Sequence, residues 1–318
     1  MRAVYLTAGT VSVRDVPVPE LPTGYARVRV RVAGICNTDL ELKRGYYGFA
    51  GIPGHEFVGD VVEGPPELLA RRVVGEINLA CGHCALCAKG WGRHCADRKV
   101  LGILKHPGAF AEMLTLPVEN LRVVPELVSD EEAVFTEPVA AACQILDQIT
   151  IARDERVAVL GAGKLGLLIS QVLQAHGAAV VLYGRHAAAL DLARGWGIAV
   201  ALAGDASPAA EYAVVVDATG ASDGLNQAIA MTRPRGTVVM KSTVTGSVAV
   251  NTAAAIVHEI TLLGSRCGRF EPALELLASG RVNVAEMIDS RFDLDNAALA
   301  FERAETKGVL KVLLRCAT

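Results

Sequence analysis

Residues 156–177 read RVAVLGAGKLGLLISQVLQAHG, and no other stretch of the chain restricts the fold as tightly. The string GAGKLG, Gly161 to Gly166, has the spacing G-x-G-x-x-G. It follows a short apolar run suited to a buried strand and opens an apolar-periodic stretch that Gly177 can close as a helix. Gly161 permits a tight turn, Gly163 lets the backbone approach a pyrophosphate, and Gly166 lets the helix pack against the strand. The helix start, with Lys164 and Leu165, then faces the anion. A loop that merely needs glycines is the competing reading, and the strand before and helix after disfavour it.

The texture on either side of this unit differs. Up to about Glu137 the chain shows short valine-rich runs such as ARVRVRVAG and FVGDVVEG, broken by Gly and Pro, as antiparallel strands with one solvated face require. After the glycine turn, YAVVVDATG, GTVVMKS and ITLLGS are short and apolar on both faces, as buried parallel strands are. The tail beyond Gly264 holds two helix-like stretches, Pro272 to Ala278 and Ala297 to Ala304, and the strand GVLKVLL. It is too short for a core of its own and most simply completes the first domain. The expected fold class is therefore α/β. A β-rich domain spans 1–138, a doubly wound parallel-sheet domain is inserted over 139–265, and 266–318 completes the first domain. A length of 318 residues agrees with two domains.

Composition removes several classes of function. With 31 basic against 34 acidic residues and no long basic run, nucleic acid and anionic membrane surfaces are poor partners. The most apolar long stretch, Val157 to Tyr183, is interrupted by Lys164, Gln171, Gln174 and His176, so no membrane span is expected. The start of the chain, MRAVYLTAGTVSVRDV, alternates valine with polar residues rather than showing a secretory core, and a cytoplasmic protein is expected.

Adenosine selectivity is set at the end of the second strand of such a unit, where an acidic residue binds the ribose 2′-hydroxyl of NAD. Here Tyr183, Gly184, Arg185 and His186 stand there, with no carboxylate. A guanidinium forms two charge-assisted hydrogen bonds with a 2′-phosphate, so NADP is favoured over NAD. The alternatives are that Arg185 only stacks on adenine and either cofactor is accepted, and that His186 is a surface histidine.

Two groups of residues have the chemistry of metal ligands. Cys81, Cys84, Cys87 and Cys95 follow C-x-x-C-x-x-C with a fourth thiol soon after, within a polar, glycine-rich segment over 81–95. Four thiolates close a tetrahedral shell around zinc, which marks a structural ion; His83 and His94 are competing donors or exposed neighbours. The second group is dispersed: Cys36 in GICNTD, His55 and Glu56 in GHE, and Glu137 in TEP. Singly, each is more often structural. Jointly, thiolate, imidazole and carboxylate can hold a zinc that keeps a position for substrate.

With these motifs in place the chain resembles the zinc-dependent medium-chain dehydrogenase/reductase family, the alcohol dehydrogenase superfamily, and within it the polyol, sugar and threonine dehydrogenase branch. The resemblance covers nearly the whole chain. It implies a GroES-like catalytic domain with an inserted Rossmann domain, one catalytic and one structural zinc per chain, and a nicotinamide cofactor. It matches Cys36 and His55 to the first two catalytic ligands, Glu137 to the third, and Glu56 to a glutamate that exchanges with water at the metal. It implies that Thr38 accepts the substrate hydroxyl proton, that Asp39 orients His55, and that Lys311 contacts the pyrophosphate. The plain readings of these residues are a local hydroxyl-to-backbone bond for Thr38 and a solvated strand lysine for Lys311. Where many members carry a relay histidine, this chain has Glu41; Arg266 is assigned no role. Tyr46, Tyr47 and Phe49 are candidate substrate contacts or loop core. The expected function is hydride transfer between an alcohol, polyol or sugar hydroxyl, or the matching carbonyl, and NADP, in a homo-oligomer. The alternatives are a zinc-free quinone or enoyl reductase on the same fold and a non-catalytic nucleotide-binding redox sensor.

Overall fold

Valine alternating with polar residues at the start of the chain does form strands, Arg2–Thr7 (β1) and Thr10–Asp15 (β2), paired antiparallel. The computed structural model describes residues 1–205, 210–244 and 247–316. The stronger alternation in YARVRVRVAGI gives Tyr25–Ile35 (β3), whose Ala26, Val28 and Val30 are buried while Arg29 and Arg31 face solvent. Glu56–Glu63 (β4) and Arg72–Gly75 (β5) follow. Three short strands, Asn78–Leu79 (β6), Lys99–Leu101 (β7) and Lys105–His106 (β8), make a small separate sheet flanking the cysteine-rich segment. Met113–Pro117 (β9) and Leu121–Val123 (β10) close this part of the chain.

The middle of the chain switches to the strands Arg156–Leu160 (β11), Ala179–Gly184 (β12), Ala199–Leu202 (β13), Tyr212–Asp217 (β14), Thr232–Met240 (β15) and Thr261–Gly264 (β16), with β11 and β14 buried on both faces and the outer β13 and β16 partly exposed. All their pairings are parallel, in the order β13-β12-β11-β14-β15-β16. The order reverses between β11 and β14, the point at which doubly wound sheets bind ligands beyond their strand C-termini. Tyr212, Val215, Val238, Ala228 and Ile229 are among the core residues of this unit.

The tail adds Ile288–Asp293 (β17) and Lys311–Arg315 (β18), and β18 pairs antiparallel with β3. The first sheet thus runs β10-β5-β4-β3-β18-β17, with β9 also on β3. The chain divides into Met1–Glu137 with Met287–Thr318, and Pro138–Glu286. The fold class expected from the sequence is the one observed. The return to the first unit comes at Met287 rather than at 266, because the helix Phe270–Ala278 stays with the parallel sheet. Arg269 there pairs with Asp147 at 3.0 Å, Gly268 packs on the Ala140 carbonyl, and Asn283 exchanges hydrogen bonds with Gln171. Among the described residues no helix is long and apolar enough to cross a membrane.

Candidate functional site

Strand register explains how distant donors meet. In the first sheet Gly34 of β3 stands opposite Glu56 of β4, and Ile35 opposite Val312 of β18. Continuing that register one residue sets His55 opposite Ile35 on one side and Lys311 opposite Cys36 on the other, so Cys36, His55, Glu56 and Lys311 are gathered at one end of the sheet. The donor atoms of Cys36, His55 and Glu56 lie within 4.8 Å of one another. His55 and Glu56 are buried, and Cys36 is half-buried as the N-cap of helix Asn37–Lys43.

Asp39, fully buried in the first turn of that helix, braces both ligand segments. Its Oδ2 accepts from the Cys36 backbone N–H at 2.8 Å. Its Oδ1 accepts from the Gly54 N–H at 3.1 Å and faces His55 Nδ1 at 3.4 Å, a charge contact rather than a well-formed hydrogen bond. Burial alone would lower the His55 pKa, but Asp39, with help from Cys36, carries it well above its usual value. Glu56 Oε2 receives the Lys311 ammonium, whereas its Oε1 is buried without a hydrogen-bond partner. A buried carboxylate oxygen is costly when unpaired, and a cation beside Cys36 and His55 would satisfy it. The donor set therefore fits zinc.

Of the remaining residues placed here by sequence, Thr38 lies with its Oγ1 3.9 Å from Cys36 Sγ, as acceptor of the thiol. Glu137 falls outside the close trio. It is half-buried near the start of helix Thr136–Gln148, two residues after Phe135, whose ring lies 5.3 Å from Lys311 Nζ. Lys311 has a different partner from the phosphate that the resemblance implies: β18 runs along β3, so its ammonium is buried on Glu56. Burial would lower its pKa, and the charge of Glu56 raises it. Glu41 accepts a hydrogen bond from Arg44 at 2.7 Å. Tyr46 and Tyr47 pack on each other at the surface, ring centroids 4.1 Å apart.

The second cluster closes on itself. Sγ–Sγ separations are 3.9 Å for Cys81–Cys87, 3.5 Å for Cys84–Cys87 and 3.8 Å for Cys84–Cys95. Four thiolates about 2.3 Å from a tetrahedral zinc sit about 3.8 Å apart, so the four residues match that shell without rearrangement. None of them is in a disulfide. The Cys84 thiol is drawn down to about 6, first by the Cys87 backbone N–H and then by the Cys87 side chain. Cys87 is pushed up to about 12, by desolvation first and by Cys84 next.

In the parallel-sheet unit the glycine turn has the conformation its spacing predicts. Gly161 has φ +105°, and a Cβ there would fall 2.6 Å from the Ala218 carbonyl oxygen. A Cβ on Gly166 would lie 1.8 Å from the Gly161 carbonyl oxygen, whereas one on Gly163 would meet nothing within 4 Å. That open side is where a pyrophosphate would approach the helix Lys164–His176, which Gly163 caps and Leu165 continues. Gly184 ends β12, and Arg185 and His186 follow it, both exposed.

Two residues escaped the sequence reading. Gly34 is small because Glu56 Oε2 and Val134 Cγ1 would each lie 2.7 Å from a Cβ there, a cross-strand constraint with no local signature. Asp217 is buried at the end of β14, and the signal was available: it is a carboxylate closing the otherwise uncharged strand YAVVVD.

Clusters that could hold metal ions and a parallel sheet with a G-x-G-x-x-G turn point to the oxidoreductase class. The alcohol dehydrogenase GroES-like domain matches residues 22–126 and the zinc-binding dehydrogenase domain matches residues 165–279. Sorbitol dehydrogenase from Halalkalibacterium halodurans is 28% identical over 96% of each chain. Among solved structures, alcohol dehydrogenase TADH from Thermus sp. ATN1 is 32% identical over 99% of each chain, with TM-score 0.89. The short chain alcohol dehydrogenase RspB from Escherichia coli CFT073, complexed with NADH, is 26% identical over 99% of each chain, with TM-score 0.92. The chain belongs to the zinc-binding medium-chain dehydrogenase/reductase family, the alcohol dehydrogenase superfamily, and is an oxidoreductase.

Proposed function

We propose that this protein transfers a hydride between a hydroxyl of a polyol, sugar or alcohol and NADP, with one catalytic and one structural zinc per chain. The observation that carries the reading is the meeting of Cys36, His55 and Glu56 within 4.8 Å around an unpartnered carboxylate oxygen. The likeness to a sorbitol dehydrogenase supports a polyol as substrate. Zinc held there would supply Lewis-acid polarisation of a substrate oxygen, and a bound nicotinamide would supply the hydride acceptor or donor. The protein does the rest. Cys36 and His55 hold the metal, Asp39 fixes the His55 ring, and Glu137 supplies a further carboxylate from the helix beside Phe135. Glu56, tethered by Lys311 through one oxygen, has the other free to serve as a further donor to a metal held by Cys36 and His55. The Thr38 hydroxyl accepts the substrate hydroxyl's proton as it passes its own on to water.

NADP preference rests on Arg185, exposed at the end of β12 where a carboxylate would repel a 2′-phosphate. Self-assembly is part of the same reading. The outer strand β16 leaves Leu262 38% exposed, and the preceding helix Thr252–Val257 leaves Ile256 and Val257 73% and 75% exposed, a surface suited to a second copy.

The test is a panel of polyols, aldoses, threonine and simple alcohols assayed with both cofactors. Turnover linked to NADP is expected for at least one hydroxyl substrate. It should fall at least about a hundredfold in C36A and H55A with melting unchanged. R185D should move preference toward NAD by about tenfold or more. Undiminished rates in C36A contradict the catalytic assignment, and unchanged preference in R185D removes Arg185 from it.

A further inference from the structure

The parallel sheet carries a polar knot that the chemistry above does not use. Asp217 is only 4% exposed and ends a strand whose other residues are all buried. Its Oδ1 accepts three hydrogen bonds, from the Thr219 N–H at 3.0 Å, the Thr219 hydroxyl at 2.7 Å and the Ser242 hydroxyl at 2.9 Å. Its carbonyl accepts from the N–H groups of Lys241 and Ser242 at 2.9 and 3.1 Å. Ser242 Oγ in turn accepts from the Gly220 N–H at 2.9 Å, and Thr219 Oγ1 from the Ala221 N–H at 3.1 Å. One residue therefore ties the turn after β14 to the turn after β15.

That knot adjoins the glycine turn. The Ala218 N–H donates to the Leu160 carbonyl at 2.9 Å, and a Cβ on Gly161 would lie 2.9 Å from Thr219 Cα. The helix Gly224–Met231 begins on a glycine for the same reason: a Cβ there would fall 2.1 Å from Thr219 Oγ1 and 2.7 Å from Asp217 Oδ1. A dinucleotide lying across the switch point between β11 and β14 puts one mononucleotide half over each side. The β12 side ends in Gly184 and Arg185, so the β14 and β15 side takes the other half.

We propose that Asp217 is a positioning residue for the nicotinamide half of the cofactor, holding Thr219, Gly220 and Ser242 as the wall of the crevice beside the glycine turn. This rests on the reading that the sheet binds a nicotinamide dinucleotide. A buried carboxylate is retained only where donors saturate it, and these donors belong to the two turns that line that half. Loosening them should therefore penalise the whole cofactor and spare its adenosine fragment.

The experiment is calorimetric titration of zinc-loaded wild type, D217N and S242A with NADP and with 2′,5′-ADP, and with NAD and 5′-AMP, in the absence of substrate. D217N should weaken the dinucleotide about tenfold while the matching fragment changes by less than about twofold. S242A should show the same split at about threefold, and it carries the test alone if D217N does not fold. Equal weakening of fragment and dinucleotide makes Asp217 a structural brace and overturns the proposal, as does no change in either. Wild type that binds the fragments and neither dinucleotide overturns the cofactor reading along with it.

Discussion

Gly34 shows how little room the donor cluster leaves. Its φ is ordinary for a strand, so the demand is for space and not for backbone freedom. A methyl group there would press on Glu56 Oε2, Val134 Cγ1 and, at 3.3 Å, Lys311 Cδ. G34A should cost about 1–3 kcal/mol of stability, as overpacking of a tight site does, and should cut activity by displacing Glu56. Thermal unfolding and steady-state rates check both, and wild-type values in each would show that Glu56 and Lys311 can move freely. At this scale the sequence was legible where the spacing is short. Cys81 to Cys95 and Gly161 to Gly166 could be read directly, because nearby residues are constrained to be neighbours. Lys311 and Glu56 could not, since 255 residues separate them and only the pairing of β18 with β3 brings them together.

Helix Phe270–Ala278 illustrates the limit at the scale of elements. Phe270, Ala273, Leu274 and Leu277 give it an apolar face, and that periodicity predicts a helix without saying which core it covers. The Arg269–Asp147 pair and the Gln171–Asn283 bonds assign it to the parallel sheet. The cysteine-rich segment is the opposite case, since its strands β6, β7 and β8 are too short to be stable without a cross-link. Its order should depend on metal. C95S should lose one zinc and lower the melting temperature by about 5–10 °C, whereas C36A should lose the other zinc with little change in melting. Metal analysis and calorimetry on the two variants separate them, and a C95S protein retaining both metals and full stability would remove the structural role from the segment.

Across the whole molecule, work is divided along the chain: the candidate metal donors lie in Met1–Glu137, Lys311 joins them from the second part of that unit, and the glycine turn and Asp217 lie in the inserted one. The insertion explains why β3 and β18, far apart along the chain, pair in one sheet, and why truncating β18 should remove Lys311 and a neighbour of β3 together. The exposed leucine of β16 gives a prediction at this scale also. Light scattering should find a dimer or larger assembly, and L262D with I256D should shift it to monomer; a monomeric wild type would contradict assembly through that edge. The two metal sites offer the most direct test of the proposed function. Anomalous diffraction at the zinc edge, from crystals of the zinc-loaded protein, should show two peaks, one within the four sulfurs of Cys81, Cys84, Cys87 and Cys95 and one bounded by Cys36 and His55. A single peak in the four-cysteine segment, with Cys36 and His55 free of metal in an active enzyme, would contradict it.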